Sequence, residues 1–145
     1  VKKQYLAICI GNPGELKIAS PIGRHPINRK KMTPTEKGKL AITDVRTLKK
    51  GSLFSLVEVT PITGRTHQIR VHLSSKGFPI LGDETYGSIK INQKFSATRQ
   101  FLHAHTLSLP HPTKDKALSI QWDSKNKLGF TYSSLDVHIC TKIDI

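Results

Sequence analysis

The stretch Thr-Gly-Arg-Thr-His-Gln-Ile-Arg-Val-His, residues 63–72, concentrates two arginines and two histidines within ten positions. An arginine can hold a carboxylate or a phosphate through two parallel hydrogen bonds. Arg70 falls near the first turn of an expected helix, the end of the macrodipole that disfavours a cation. An inward-facing Arg70 therefore calls for a compensating carboxylate, or next a phosphate; an outward-facing one simply sits in water. His67 and His72 are five apart, so they do not share a helical face as metal ligands four apart would. His103 and His105 form an H-x-H pair on one side of an expected strand, yet no cysteine pair supplies further zinc ligands, and no metal is expected. No serine stands in a G-x-S-x-G elbow. Asp83, in Pro-Ile-Leu-Gly-Asp-Glu-Thr-Tyr-Gly, is a general base or a residue that ties its turn by bonding its own backbone. The second reading suits an aspartate bounded by glycines, with Tyr86 as packing.

These residues need a scaffold. From Thr66 to Lys76 the spacing of Ile69 and Leu73 predicts a helix of about three turns. Thr63 or Thr66 is placed to cap it, Gly77 to end it in the left-handed conformation, and Pro79 to forbid its continuation. Upstream, Gln-Tyr-Leu-Ala-Ile-Cys-Ile reads as a strand. Gly-Asn-Pro-Gly reads as a turn and Leu-Lys-Ile-Ala-Ser-Pro-Ile as a hairpin partner. Residues 23–39 read as a long basic loop. Residues 40–48 and 52–62 alternate and are expected to pair antiparallel, with Leu53, Ser55, Val57 and Val59 facing one way and Phe54, Leu56 and Glu58 the other. Residues 99–112 end in a strand whose partner is Ala-Leu-Ser-Ile-Gln-Trp. Beyond Trp122 the patterning weakens to a last strand or a loose tail. The sum is an α+β fold, a mostly antiparallel or mixed sheet flanked by one or two helices.

The 145 residues carry 23 Lys+Arg against 10 Asp+Glu, a net +13. Such a surface points to nucleic acid or an anionic membrane as partner. No apolar run is long enough for a membrane helix. The charge concentrates between Arg24 and Lys50, which hold nine basic residues, among them Arg24, Arg29, Lys30 and Lys31, against Glu36 and Asp44. Few aromatics interleave there. That favours backbone contact with structured nucleic acid over a stacking platform for single strands. A solvated loop is the plain alternative. Cys9 and Cys140, far apart and in no motif, read as reduced thiols of a cytoplasmic protein.

The whole stretch from Thr63 to Gly87 resembles the hallmark segment of the RluA-type pseudouridine synthases. Lys-Gln-Tyr-Leu-Ala (Lys3 to Ala7) resembles the family's K-x-Y-x-A strand. The paired strands before Thr63, and Phe-Leu-His-Ala-His-Thr-Leu-Ser-Leu-Pro-His-Pro (Phe101 to Pro112), agree with it as well. The resemblance covers roughly residues 3–122. It implies that residues 1–122 are the C-terminal portion of a catalytic domain, with 123–145 an extension. It also implies an isomerase that flips uridine out of ribosomal or transfer RNA and needs no cofactor. Tyr5 is implied as the residue that contacts the flipped uracil and takes the C5 proton, and Arg70 as the partner of the catalytic aspartate. Gly64, Arg65, His67, Gln68 and His72 are implied as scaffold or RNA contacts.

The family's nucleophilic aspartate lies in an H-R-L-D motif ahead of the K-x-Y strand. None of the six aspartates here stands in that context. The expectation is a truncated domain, inactive alone, with a non-catalytic RNA-binding module as the alternative. If missing strands normally pair with the first strand, its open edge is expected to promote self-association.

Overall fold

The computed structural model describes residues 2–110, 117–121, 130–133 and 136–139. The elements run β1 (Lys2–Ile10), β2 (Glu15–Ala19), β3 (Ile22–Arg24), β4 (Met32–Pro34), β5 (Ile42–Lys50), β6 (Phe54–Pro61), α1 (Gln68–Ser75), α2 (Ile89–Lys94), β7 (Leu102–Pro110), β8 (Ala117–Gln121), β9 (Phe130–Ser133) and β10 (Asp136–Ile139). The fold is α+β. One six-stranded sheet has the order β2-β5-β6-β1-β7-β8, and every pairing in it is antiparallel. β3–β4 and β9–β10 are separate hairpins.

Alternation in β6 fixes which face is buried. Ser55, Val57 and Val59 are at most 2% exposed, as expected, and Leu56 is exposed; Leu53, expected on the buried face, is exposed because it precedes the strand, which begins at Phe54. Together with Ala7, Cys9, Ile18, Val45 and Leu102, the two valines form the apolar face on which α1 lays Ile69 and Leu73. The opposite side of α1 is covered by the β3–β4 hairpin, where Ile22, Ala41 and Val71 form a second small core with Met32 and Tyr86 against it. The helix is thus held between sheet and hairpin, and its N-terminus is fixed from both sides.

Several expectations need correction. β2 does not turn back onto β1. It pairs with β5, because the Gly-Asn-Pro-Gly turn is captured by Thr47, whose Oγ1 accepts from Gly14 N at 3.0 Å while Thr47 N donates to the Gly14 carbonyl at 2.9 Å. The long basic loop contains a hairpin of two three-residue strands. β1 has no open edge: it bonds β6 on one side and β7 on the other. The outermost strands are β2 and β8. β2 is short and carries Glu15 and Lys17, a combination that discourages edge pairing. Of the tail beyond Trp122, β9 and β10 are described, with β10 against β8. Trp122, Cys140, the loop 111–116 and the side chain of His105 lie outside the described residues. Cys9 is a buried free thiol, pushed up to about 11 by burial and so held protonated.

Ser55 is the one buried side-chain polar atom without a hydrogen-bond partner among the described residues. A buried unpaired hydroxyl costs about 1–3 kcal/mol of desolvation. Ser55→Ala removes that cost, so the expected result is unchanged or slightly raised stability in urea unfolding. A loss above about 1 kcal/mol would show that the hydroxyl is satisfied in solution.

Candidate active site and RNA-facing surface

The entry to α1 is built by side chains rather than by a helix cap. His67 occupies the cap position in the left-handed conformation (φ 54°, ψ 21°) and makes no capping bond, so neither Thr63 nor Thr66 caps the helix and it starts at Gln68. Gln68 instead works as a buried clamp. Its Oε1 accepts from Thr63 Oγ1 at 2.6 Å and from Arg65 N at 3.0 Å, while its Nε2 donates to the Ile42 carbonyl at 2.8 Å and to Thr43 Oγ1 at 2.9 Å. His72 extends the network. Its Nε2 lies 2.9 Å from the Ser20 carbonyl, which can only accept, so Nε2 carries the proton and Nδ1 accepts from Thr43 Oγ1 at 2.8 Å. Burial holds the ring below the usual histidine range, opposed by the Ser20 carbonyl and helped by Lys76. The helix ends at Ser75, and just past its cap residue Lys76 the chain turns away at Gly77, whose φ of +86° suits glycine.

Gln68 and His72 are 4% and 0% exposed. Of the two roles implied for them, scaffold or RNA contact, the geometry supports the first: every polar side-chain atom of both is spent on binding the 63–65 loop, β5 and the Ser20 carbonyl to α1. Arg65 is exposed, with Nε on the Leu40 carbonyl at 2.9 Å. The four basic residues Arg24, Arg29, Lys30 and Lys31 cluster at the β3–β4 hairpin. All but the partly covered Lys31 are exposed, and Arg24 Nη1 donates to the Arg29 carbonyl at 2.9 Å. The basic stretch is not one continuous strip. Lys49 and Lys50 sit at the far end of β5, about 26 Å from Ile42 at roughly 3.3 Å per strand residue.

Arg70 finds its carboxylate within this chain. Asp83 receives Arg70 Nε at 2.9 Å and Nη2 at 2.8 Å, a bidentate pair with side chains 13% and 0% exposed. The expected turn-tying role of Asp83 is also present, since Oδ1 accepts from Thr85 N at 3.0 Å and Tyr86 N at 3.1 Å. Burial alone would raise the Asp83 pKa. The Arg70 hydrogen bonds and the Tyr86 and Thr85 amides outweigh it and hold the carboxyl below the usual range. Arg70 is raised in turn, first by its hydrogen bonds to Asp83. Gly82, at φ +81°, lets the chain pass close under the Arg99 carbonyl, and Asn92 of α2 pins both Gly82 N and the Asp83 carbonyl.

Tyr5 of β1 and Arg70 of α1 line one cleft of about 370 Å³, together with Lys3, Arg65, His67 and Leu102. Tyr5 is half-buried and burial raises its phenol. Tyr86 does more than pack. Its oxygen accepts from Met32 N at 2.9 Å and lies 2.9 Å from His67 Nδ1, and its ring sits under the Arg70 guanidinium at 5.1 Å. An aspartate and a tyrosine thirteen and sixteen residues after Arg70 give no periodic signal, so sequence spacing does not join them to it. The separate signals are an arginine short of a carboxylate and an aspartate in a tight turn. Among the described residues no cluster of His, Cys, Asp and Glu is arranged to hold a metal.

The model of the RNA pseudouridylate synthase family matches residues 1–75. A protein of Chloroflexus aurantiacus described as an uncharacterised RNA pseudouridine synthase is 47% identical over 113 residues, 77% of this chain and 35% of that protein. The ribosomal large subunit pseudouridine synthase D of Nitrosomonas europaea is 41% identical over 130 residues, 86% of this chain and 37% of that enzyme. Human RNA pseudouridylate synthase domain containing 1 superposes with a TM-score of 0.75 at 29% identity, covering 96% of this chain and 60% of the human one. The chain thus spans well under half the length of the two bacterial relatives. With the K-x-Y strand, the arginine helix and their shared cleft built on one sheet, the chain belongs to the RluA-type RNA pseudouridine synthases.

Proposed function

We propose that this chain is the uracil-binding portion of an enzyme that isomerises uridine to pseudouridine in structured RNA, ribosomal or transfer. The observation that carries the reading is the cleft that Tyr5 and Arg70 share. Its volume suits one extruded base, and C1′ and C5 of a stacked uridine are out of reach without extrusion. In this reading Tyr5 contacts the base and accepts the C5 proton. Burial raises the phenol and keeps it protonated, so Tyr5 must pass its own proton on as its oxygen takes the one from C5. The carboxylate that the family uses to free the base from the sugar would come from an H-R-L-D segment, which these 145 residues do not contain. The exposed hairpin of Arg24, Arg29, Lys30 and Lys31 would grip backbone phosphates beside the cleft. Residues 1–122 would form the catalytic-domain portion and 123–145 an extension.

A second reading is supported by the Arg70–Asp83 pair. Arg70 is compensated without any further carboxylate, which suits a non-catalytic RNA-binding module. One experiment separates the two. The 145 residues alone are expected to form no pseudouridine in a target RNA, because they lack the group that acts as covalent partner. Fused behind an H-R-L-D-bearing segment, they are expected to turn over, and Tyr5→Phe in that fusion to lose about 10²–10⁴-fold in rate. Product from the 145 residues alone would overturn the need for that carboxylate. A fusion that is folded but inert would favour the binding module.

RNA affinity should fall with salt. Replacing the four hairpin cations with alanine is expected to reduce the log–log slope by about 0.7–0.9 for each phosphate they neutralise. An unchanged slope would remove the hairpin from the RNA interface.

A further inference from the structure

His67 stands out at the cleft. It is one of two non-glycine residues with positive φ among the described residues, a conformation that costs about 1–2 kcal/mol and is retained where surroundings impose it. It occupies a helix cap position, yet its side chain makes no cap. The ring is spent instead on Tyr86, with Nδ1 2.9 Å from the phenol oxygen.

The roles in that bond follow from its neighbours. Met32 N can only donate, and it donates to the phenol oxygen at 2.9 Å. The phenol proton then needs an acceptor, and the ring nitrogen of His67 is the one within reach. Nδ1 is therefore unprotonated, and the neutral ring carries its proton on Nε2. A protonated ring would aim two donors, Nδ1–H and Met32 N–H, at one oxygen and leave the phenol proton without an acceptor. The charged groups around His67 agree. Arg70 on α1 opposes a second cation there, with Arg65 on the preceding loop and Lys3 on β1 also lining the cleft, while Asp83 is already paired to Arg70. Tyr5 and Tyr86 are the remaining titratable neighbours. Burial, then Arg70, hold the imidazole below its usual range, with Asp83 partly opposing.

We propose that Tyr86 is a positioning residue whose hydroxyl fixes His67 as the Nε2–H tautomer, so that His67 offers the cleft one hydrogen-bond donor for a carbonyl oxygen of the bound uracil. This rests on the reading of the cleft as a uracil site. The basic hairpin is part of the device, because Met32, which sets the phenol's direction, is the first residue of β4.

Nitrogen-15 NMR of the histidine rings in the 145-residue chain tests the tautomer without any RNA. At pH 7 both His67 and His72 are expected to show protonated Nε2 and bare Nδ1. In Tyr86→Phe, His67 is expected to become a tautomer mixture while His72, held by Ser20 and Thr43, keeps its signature and reports that the fold is intact. A His67 ring that is cationic, or protonated at Nδ1, in the parent chain overturns the proposal even if Tyr86→Phe fails to fold. The contact with uracil is read by binding a stem-loop RNA with one unpaired uridine against the same RNA with an abasic residue there. His67→Gln, whose amide nitrogen reaches the Nε2 position, is expected to keep the parent's preference for uridine within about twofold. His67→Asn, whose amide nitrogen falls near Nδ1, is expected to lose about tenfold of it, the worth of one hydrogen bond. No preference in the parent would sink the uracil-site reading itself. A preference that survives unchanged in His67→Asn would overturn the donor role and leave that reading standing.

Discussion

Asp83→Ala is expected to destabilise the fold by about 3–5 kcal/mol, because it strands a guanidinium that is largely shielded from water. The carboxylate holds four donors at once: two from Arg70 and the amides of Thr85 and Tyr86. Losing it frees the turn that carries Tyr86 and loosens Arg70, which lines the cleft. Arg70→Met should cost a similar amount by leaving the carboxylate with amides only. The double variant Arg70→Met with Asp83→Ala should cost clearly less than the sum of the two, since no charge is left stranded, while the Thr85 and Tyr86 amides still lose their acceptor. Urea unfolding measures all three. If the two single variants and the double are additive, the pair is not coupled and the account fails.

The same pair sets an acid limb of stability. The folded pKa of Asp83 lies below its ordinary 3.8, so the unfolded chain takes up the proton first as pH falls. Its contribution is complete above about 3.8 and is lost as pH drops through the folded value. His67 and His72 act with the same sign at higher pH: their folded values lie below the ordinary 6.5, so stability declines as pH falls below 6.5. Two separate steps are expected in the urea midpoint against pH, and Asp83→Asn should remove the lower one.

His72→Phe is expected to cost about 2–4 kcal/mol with no loss of RNA affinity per folded molecule. The phenyl ring fills the imidazole's volume but leaves the Thr43 hydroxyl proton without its acceptor and the part-buried Ser20 carbonyl without its donor, at about 1–3 kcal/mol each less partial relaxation. A residue that contacted RNA would give the reverse, unchanged stability and weakened binding. Measuring unfolding and RNA binding on one preparation distinguishes them. Reduced affinity at full occupancy of the folded state would return His72 to the RNA-facing surface.

What is legible in the sequence, and what is not, divides by range. The β5–β6 pair and the buried face of β6 follow from alternation, which is local, and the end of α1 follows from Gly77 and Pro79 for the same reason. The pairing of β2 does not follow, because a turn signal says that the chain bends, not onto which strand. Thr47 decides that, far along the chain. Arg70's need for a carboxylate and Asp83's hold on its turn are each visible, but nothing periodic links a helix residue to a loop residue thirteen positions on. For Gln68 and His72 the sequence leaves scaffold and RNA contact both open. They are buried because Thr43, Thr63 and the Ile42 and Ser20 carbonyls converge on them, and convergence of several segments leaves no mark on any one of them.

The placement of β1 at the centre of the sheet governs when this polypeptide can fold. Tyr5 is bracketed by Val59 and Ala104, so this strand, made ahead of both its neighbours, waits for β7 before its second ladder can close. Closing loops of that span is entropically slow, and topologies dominated by such distant pairings fold in milliseconds to seconds rather than microseconds. The nascent strand Lys-Lys-Gln-Tyr-Leu-Ala-Ile-Cys-Ile spends that interval with its apolar side uncovered and open to unintended pairing.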